Sequence, residues 1–168
     1  GTQTAAVAFG GLQDQDETEE YNGSSWTGSG NMSNNRRNAA RAGIQTAALA
    51  WAGPPSLRAM EEYNGSSWTA GPTLNNGVQN NGSDGTSTAA LSFGGGDGTQ
   101  PFKSQTEAYN GTAWSITGAL GTARYILSGA GPNFLAIGGA NAGGESAATE
   151  EFTEGSAAVV TASTLTTS

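Results

Sequence analysis

The chain of 168 residues contains no cysteine and no histidine. Disulfides, thiolate nucleophiles, imidazole bases and the commonest metal ligand are excluded together. Cations are scarce as well: one lysine (Lys103) and five arginines stand against 14 acidic residues, for a formal net charge of −8. Binding to a phosphate backbone draws on clustered cations, so nucleic acid is not expected as a partner. No apolar run approaches the roughly 18 residues of a membrane-spanning helix, so no membrane span is expected.

What the chain has in excess is glycine, at 27 residues, well above the usual share of about 7%. Alanine, serine, threonine and asparagine make up much of the remainder. A core built from such side chains has to be close-packed from small groups. A chain of this length supports one domain that buries roughly 70% of its unfolded surface, so residues 1–168 are read as a single unit of organisation.

Ten residues are written three times with small changes: Thr18-Glu-Glu-Tyr-Asn-Gly-Ser-Ser-Trp-Thr27, Met60-Glu-Glu-Tyr-Asn-Gly-Ser-Ser-Trp-Thr69 and Thr106-Glu-Ala-Tyr-Asn-Gly-Thr-Ala-Trp-Ser115. A decayed fourth copy begins at Thr149-Glu-Glu-Phe152. Tyr21, Tyr63, Tyr109 and Phe152 are spaced by 42, 46 and 43 residues. Periods near 40–50 indicate four-stranded blades of a propeller. Trp26, Trp68 and Trp114 keep the same register, five residues after each tyrosine.

Each motif is preceded by a short apolar run that closes on glycine: Thr4–Gly11, Thr46–Gly53, Thr88–Gly95 and Phe134–Gly139. Large and small apolar residues alternate in these runs, which predicts strands covered on both faces. Asn-Gly at 22–23, 64–65 and 110–111 predicts tight hairpins with positive φ at both turn residues. A polar stretch and an arginine-bearing segment, 35–43 or 122–130, then lead to the next apolar run as an inner strand. The units run about 1–35, 36–77, 78–121 and 122–168, with three strands in the first and four in each of the others, about 15 in all.

Diglycine, tyrosine, tryptophan and arginine at these distances resemble the kelch repeat, over essentially the whole chain. The resemblance implies an all-β, kelch-like β-propeller of four blade units with mostly four antiparallel strands. It places Gly10, Gly11, Gly53, Gly94, Gly95, Gly138 and Gly139 at the ends of second strands, Tyr21, Tyr63 and Tyr109 in third strands, and Trp26, Trp68 and Trp114 at the start of fourth strands. Ala52 replaces one diglycine member, Val78 stands where Arg36 and Arg124 stand, and the fourth unit lacks its tryptophan. The Gly-, Asn- and Thr-rich wording is also similar to kelch-like repeats in structural proteins of marine bacteriophages. The low lysine content and neutral polar surface suit an extracellular or virion location. The first unit begins at its second strand, so open blade faces are expected at both ends of the array, available for self-association or protein partners.

The glutamate at 19, 61, 107 and 150 recurs in every unit, which predicts a structural or solvated rather than a catalytic role, with arginine pairing or backbone N–H bonds as the structural form. The tryptophans are read as packing residues. Copper oxidases of the kelch type need imidazole ligands and a Tyr–Cys crosslink, and this chain supplies neither. Sialidase-type hydrolysis needs a cluster of arginines on a substrate carboxylate, and these arginines are scattered. No catalytic residue, metal or cofactor is therefore expected. The acidic loop residues Asp14, Asp16 and Glu17, or Asp84 with Asp97, lack the spacing of a closed calcium site.

The loops after each diglycine (12–17, 54–59, 96–105 and 140–148) differ from one another, whereas the Asn-Gly hairpins are constant. One face of the array is thus expected to vary, with Asp14, Asp16, Arg58, Lys103 and Glu145 as candidate contacts for a host-surface glycan or a partner protein. The expected function is that of a non-catalytic structural or adhesive module of a phage virion or tail appendage. The alternative is a secreted carbohydrate-active enzyme or lectin with its site at the blade axis.

Overall fold

Each repeat of the chain folds into its own antiparallel sheet. The computed structural model describes residues 1–12, 15–54, 57–130 and 134–152, and the backbone of 163–164. The described residues form seventeen strands and no helix, so no helix among them is long and apolar enough to cross a membrane.

The first sheet holds β1 (Ala6–Phe9), β2 (Thr18–Tyr21) and β3 (Trp26–Gly28), paired in that order. The second holds β4 (Ala40–Ile44), β5 (Ala47–Trp51), β6 (Met60–Tyr63) and β7 (Trp68–Ala70). The third holds β8 (Gly82–Gly85), β9 (Ala90–Phe93), β10 (Thr106–Tyr109) and β11 (Trp114–Thr117). In the fourth, β12 (Ser128–Ala130), β13 (Leu135–Ile137), β16 (Ala148–Glu151) and β17 (Ser163–Thr164) pair in sequence. The short hairpin of β14 (Ala140–Asn141) and β15 (Gly144–Glu145) interrupts that sheet and accounts for the two strands beyond the expected 15.

Registers repeat from sheet to sheet. Tyr21 faces Trp26, Tyr63 faces Trp68 and Tyr109 faces Trp114 across their hairpins. These hairpins are not the two-residue turns that Asn-Gly predicts. Four residues, such as Asn22–Ser25, separate the strands, and among them only the glycine has positive φ (Gly23 96°, Gly65 92°, Gly111 91°). The asparagine stays in the ordinary region because its side chain closes the loop itself: Asn22 Oδ1 accepts N–H bonds from Ser24 and Ser25, each at 3.0 Å. Asn64 and Asn110 repeat this arrangement. Asx turns of this kind favour asparagine for a side-chain reason.

The second strands of the middle sheets are covered on both faces, as their alternating pattern requires; Trp51 and Ala50 are fully buried. Apolar side chains gather into three clusters, one at each junction between successive sheets. Val7, Phe9, Met32, Tyr63 and Trp68 join the first sheet to the second. Leu49, Trp51, Met60, Tyr109 and Trp114 join the second to the third, and Leu91, Phe93, Leu127, Phe134 and Phe152 join the third to the fourth.

At Gly10-Gly11, Ala52-Gly53 and Gly94-Gly95, the second strand turns away and meets the segment leading into the next sheet. The N–H of Gly11 donates to Arg36 O, that of Gly53 to Val78 O and that of Gly95 to Arg124 O, at 2.8–3.1 Å. Gly94 has φ of 63°, and a Cβ there would lie 2.6 Å from the Arg124 carbonyl oxygen. Ala52 occupies the same place in the second sheet at φ 62°. Gly94→Ala is expected to cost at least about 2 kcal/mol, left-handed strain of about 1–2 kcal/mol plus the clash. Ala52→Gly is expected to stay within about 1 kcal/mol of neutral, since relief of that strain is offset by a lost buried methyl and a freer unfolded chain. Urea unfolding midpoints of the two variants check both.

Candidate functional site

The repeated glutamate sits on the strand that carries the tyrosine, β2, β6, β10 and β16; Glu19 on β2 is exposed, and in the other three sheets the glutamate clamps the linker that leads into that sheet. Glu61 accepts the N–H of Ser33 (2.6 Å) and Asn34 (3.2 Å), the Asn34 side-chain amide (3.0 Å) and the buried guanidinium of Arg36 (3.2 Å). Glu150 accepts the Gly121 N–H at 2.7 Å and Arg124 at 2.6 Å. Glu107 has Val78 in place of an arginine and is satisfied instead by the backbone and side-chain amides of Asn75 and Asn76, at 2.8–3.1 Å. Burial alone would push the Glu61 carboxyl up, but the Ser33 amide, the Asn34 side chain and Arg36 outweigh it and hold it below its ordinary value. Burial pulls the Arg36 guanidinium down, against the opposing charge of Glu61.

The second glutamate of the motif reaches the following sheet. Tyr63 donates its hydroxyl to Glu20 at 2.6 Å, and Tyr109 donates to Glu62 at 2.8 Å. Burial and then the bonded carboxylate raise both phenols, Tyr109 to about 12. The bond is not evident from one repeat alone; its signal in the sequence is the co-occurrence of the second glutamate with the tyrosine of the following repeat, Glu20 with Tyr63 and Glu62 with Tyr109, against Ala108 with Phe152. The tryptophans add a third tie. Trp68 packs edge-on to Phe9 with centroids 4.8 Å apart and donates to Thr18 Oγ1 at 2.9 Å. Trp114 packs against Trp51 at 5.1 Å and points its indole N–H at Met60 Sδ.

These engagements occupy most of the repeated ionisable side chains among the described residues. Of the arginines, Arg36 and Arg124 are buried in clamps, Arg58 is exposed with its Nε donating to Leu74 O at 2.7 Å, and Arg41 faces the central hollow. No three acidic side chains gather among the described residues in a manner that could hold a metal.

Of the residues expected on the variable face, Arg58 and Glu145 are exposed, Glu145 on the β14–β15 hairpin. Asp16 is half-buried beside Asn31. Asp14 lies outside the described residues. Lys103 departs from its expected place: it is buried, paired with Asp97 and donating to Gly77 O at 3.4 Å, so its ammonium is engaged inside the loop. The bonded Lys103, with the N–H groups of Gln100 and Thr99, holds the Asp97 carboxyl well below the usual range. Between the loops lies a hollow of about 410 Å³, bordered by Leu12, Arg37, Asn38, Pro54 and Gln79.

A second hollow, of about 440 Å³, lies where the inner strands β4, β8 and β12 approach one another and the edge strand β1. Arg41, Asn81, Ser83 and Asp84 give it a polar lining, with Val7 and Phe9 on one side. Asn81 Oδ1 and Asp84 Oδ2 are buried without a protein partner. The lining contains one carboxylate and one guanidinium, neither the convergent acid pair of a glycosidase nor an apolar channel.

No protein family and no curated protein matches the chain by sequence. Among solved structures it is similar to that of YjhT, with a TM-score of 0.66 at 15% identity over 84% of this chain. The chain spans about half of that protein, 51% of its length. At this identity the likeness is one of fold alone: an all-β arrangement of repeated antiparallel sheets.

Proposed function

We propose that the four sheets are blades of a kelch-like β-propeller, and that the chain is a non-catalytic structural or adhesive module of a virion or other extracellular assembly. In this reading the loops after each diglycine present Asp16, Arg58 and Glu145 to a surface glycan or partner protein. The observation that carries it is the fate of the repeated ionisable side chains. Glutamates 61, 107 and 150 are consumed in clamping linkers, and Glu20 and Glu62 in joining sheets, while the segments that differ between repeats are the loops. A copied residue with a structural partner in most of its copies serves the scaffold; variation concentrated on one face serves recognition.

One observation favours a second reading, a lectin or carbohydrate-active enzyme with its site in the central hollow: the unpartnered acceptors of Asn81 and Asp84 lie beside Arg41 there. An array of bacterial surface glycans separates the two. The first reading expects glycan capture that weakens about tenfold, roughly 1.4 kcal/mol, in an Asp16→Ala, Glu145→Ala double variant. Capture abolished by Asp84→Asn or Arg41→Ala, yet indifferent to the loop variants, transfers the site to the hollow.

A further inference from the structure

The two ends of the array carry the separate halves of one contact. At both junctions that include a tryptophan, the same three ties recur. The large residue before the diglycine (Phe9, Trp51) packs on the tryptophan of the following sheet (Trp68, Trp114). The second glutamate (Glu20, Glu62) accepts that sheet's tyrosine hydroxyl. The residue two before that glutamate (Thr18, Met60) receives the indole N–H.

On the first sheet, the receiving half stands open. Trp26 is 49% exposed, against 7% for Trp68 and Trp114, and among the described residues it stacks only on its own Tyr21, 5.2 Å away. Neither the Tyr21 hydroxyl nor the Trp26 indole N–H has a partner among the described residues. On the fourth sheet, the offering half stands open. Ile137 occupies the place of Phe9 and Trp51 and is 38% exposed. Ile137 faces Thr149 across the sheet, and Glu151 lies two residues further on the same face. Thr149 is the counterpart of Thr18, and the exposed Glu151 is the counterpart of Glu20 and Glu62.

We propose that the fourth sheet of one copy of this chain docks on the first sheet of a second copy. Trp26 packs on Ile137, its indole N–H donates to Thr149, and Tyr21 donates to Glu151. The two faces match in shape class and in hydrogen-bond polarity, donor against acceptor, and each leaves a large apolar side chain in water when unpaired. The contact is heterologous, one end meeting the other, so it propagates from copy to copy and closes if the accumulated rotation allows. It does not depend on what the loop face binds.

The test is light scattering of the 168-residue chain across a concentration series, with circular dichroism to verify folding. The chain is expected to associate reversibly. Trp26→Ala and Glu151→Lys, at opposite ends, are each expected to weaken association by about tenfold or more, as loss of a central aromatic or of a carboxylate that accepts a buried hydrogen bond does. Ile44→Glu, at an exposed site away from both ends, is expected to leave it unchanged. Mixing the Trp26→Ala and Glu151→Lys chains is expected to restore a 1:1 complex and nothing larger, because each retains one intact end. A folded monomer at every concentration overturns the proposal. So does a mixture that stays monomeric, or association that ignores both end variants.

Discussion

Glu61→Ala is expected to lower the unfolding free energy by about 3–5 kcal/mol, because it removes one partner of a buried ion pair and leaves the other in place. The Arg36 guanidinium would keep only the Ala52 carbonyl, at 2.8 Å, in a site from which water is excluded. The N–H groups of Ser33 and Asn34 would lose their acceptor in the same step. A loss of that size is a large part of the 5–15 kcal/mol that holds an ordinary domain together. Arg36→Val is expected to cost less. The third sheet already has valine at the corresponding place, and its Glu107 is held by amide donors alone. Urea unfolding should therefore rank the midpoints wild type, Arg36→Val, Glu61→Ala, and the reverse order of the two variants would show that the linker amides matter little. The same clamp sets a pH dependence. Folded Glu61 titrates below its ordinary value of 4.5, so the unfolded chain binds more protons in the interval between the two. The stability it contributes is complete above about pH 4.5 and is lost as the pH falls through the folded value. The urea midpoint of Glu61→Gln should consequently fall less on acidification than that of the wild type.

The strand plan was legible because three independent signals share one period. Tyrosine, tryptophan and diglycine recur together, and each marks a different strand end, so the division into sheets of three, four, four and four strands needed no knowledge of the contacts between them. The non-catalytic reading of the repeated glutamate rested on a similar argument, since a catalytic residue is rarely copied into every repeat; which copies are clamped and which is solvated was not legible. What escaped the sequence depends on side-chain geometry within single loops and on groups brought together from different repeats. Lys103 reads as a loop cation, and only the folded loop shows Asp97 and the Gly77 carbonyl around it. Asn-Gly is read as a two-residue turn, whereas the asparagine side chain closes a four-residue loop and removes the need for positive φ at its own position. The complementarity of Trp26 and Tyr21 with Ile137, Thr149 and Glu151 is visible only once the internal junctions show which residue meets which.

Gly129→Val is expected to cost about 3 kcal/mol or more and to disturb the centre of the array, for a reason that also explains the abundance of glycine. The inner strands β4, β8 and β12 lie side by side with β8 between the other two, and they are written almost entirely in small residues: Ala40-Arg-Ala-Gly-Ile44, Gly82-Ser-Asp-Gly85 and Ser128-Gly-Ala130. Ser83 bridges them. Its hydroxyl accepts the Arg41 N–H and donates to the Arg41 carbonyl, both at 3.1 Å, while its own carbonyl oxygen would lie 2.1 Å from a Cβ on Gly129. The obstructing atoms are backbone, so no rotamer change relieves them, and β8 and β12 have to separate. Overpacking usually costs about 1–3 kcal/mol, and a backbone obstruction at this distance places the variant at or beyond the upper end. Gly28 provides the control. It lies on the exposed strand β3, and a Cβ there meets nothing within 4 Å. Gly28→Ala is therefore expected to change stability by no more than about 0.5 kcal/mol, in the range of ordinary surface substitutions. Equilibrium unfolding of the two variants, read beside near-ultraviolet circular dichroism for the tryptophan junctions, checks the difference. Equal midpoints would show that the inner strands can move apart freely, and the central hollow would then be a deformable space with no fixed lining.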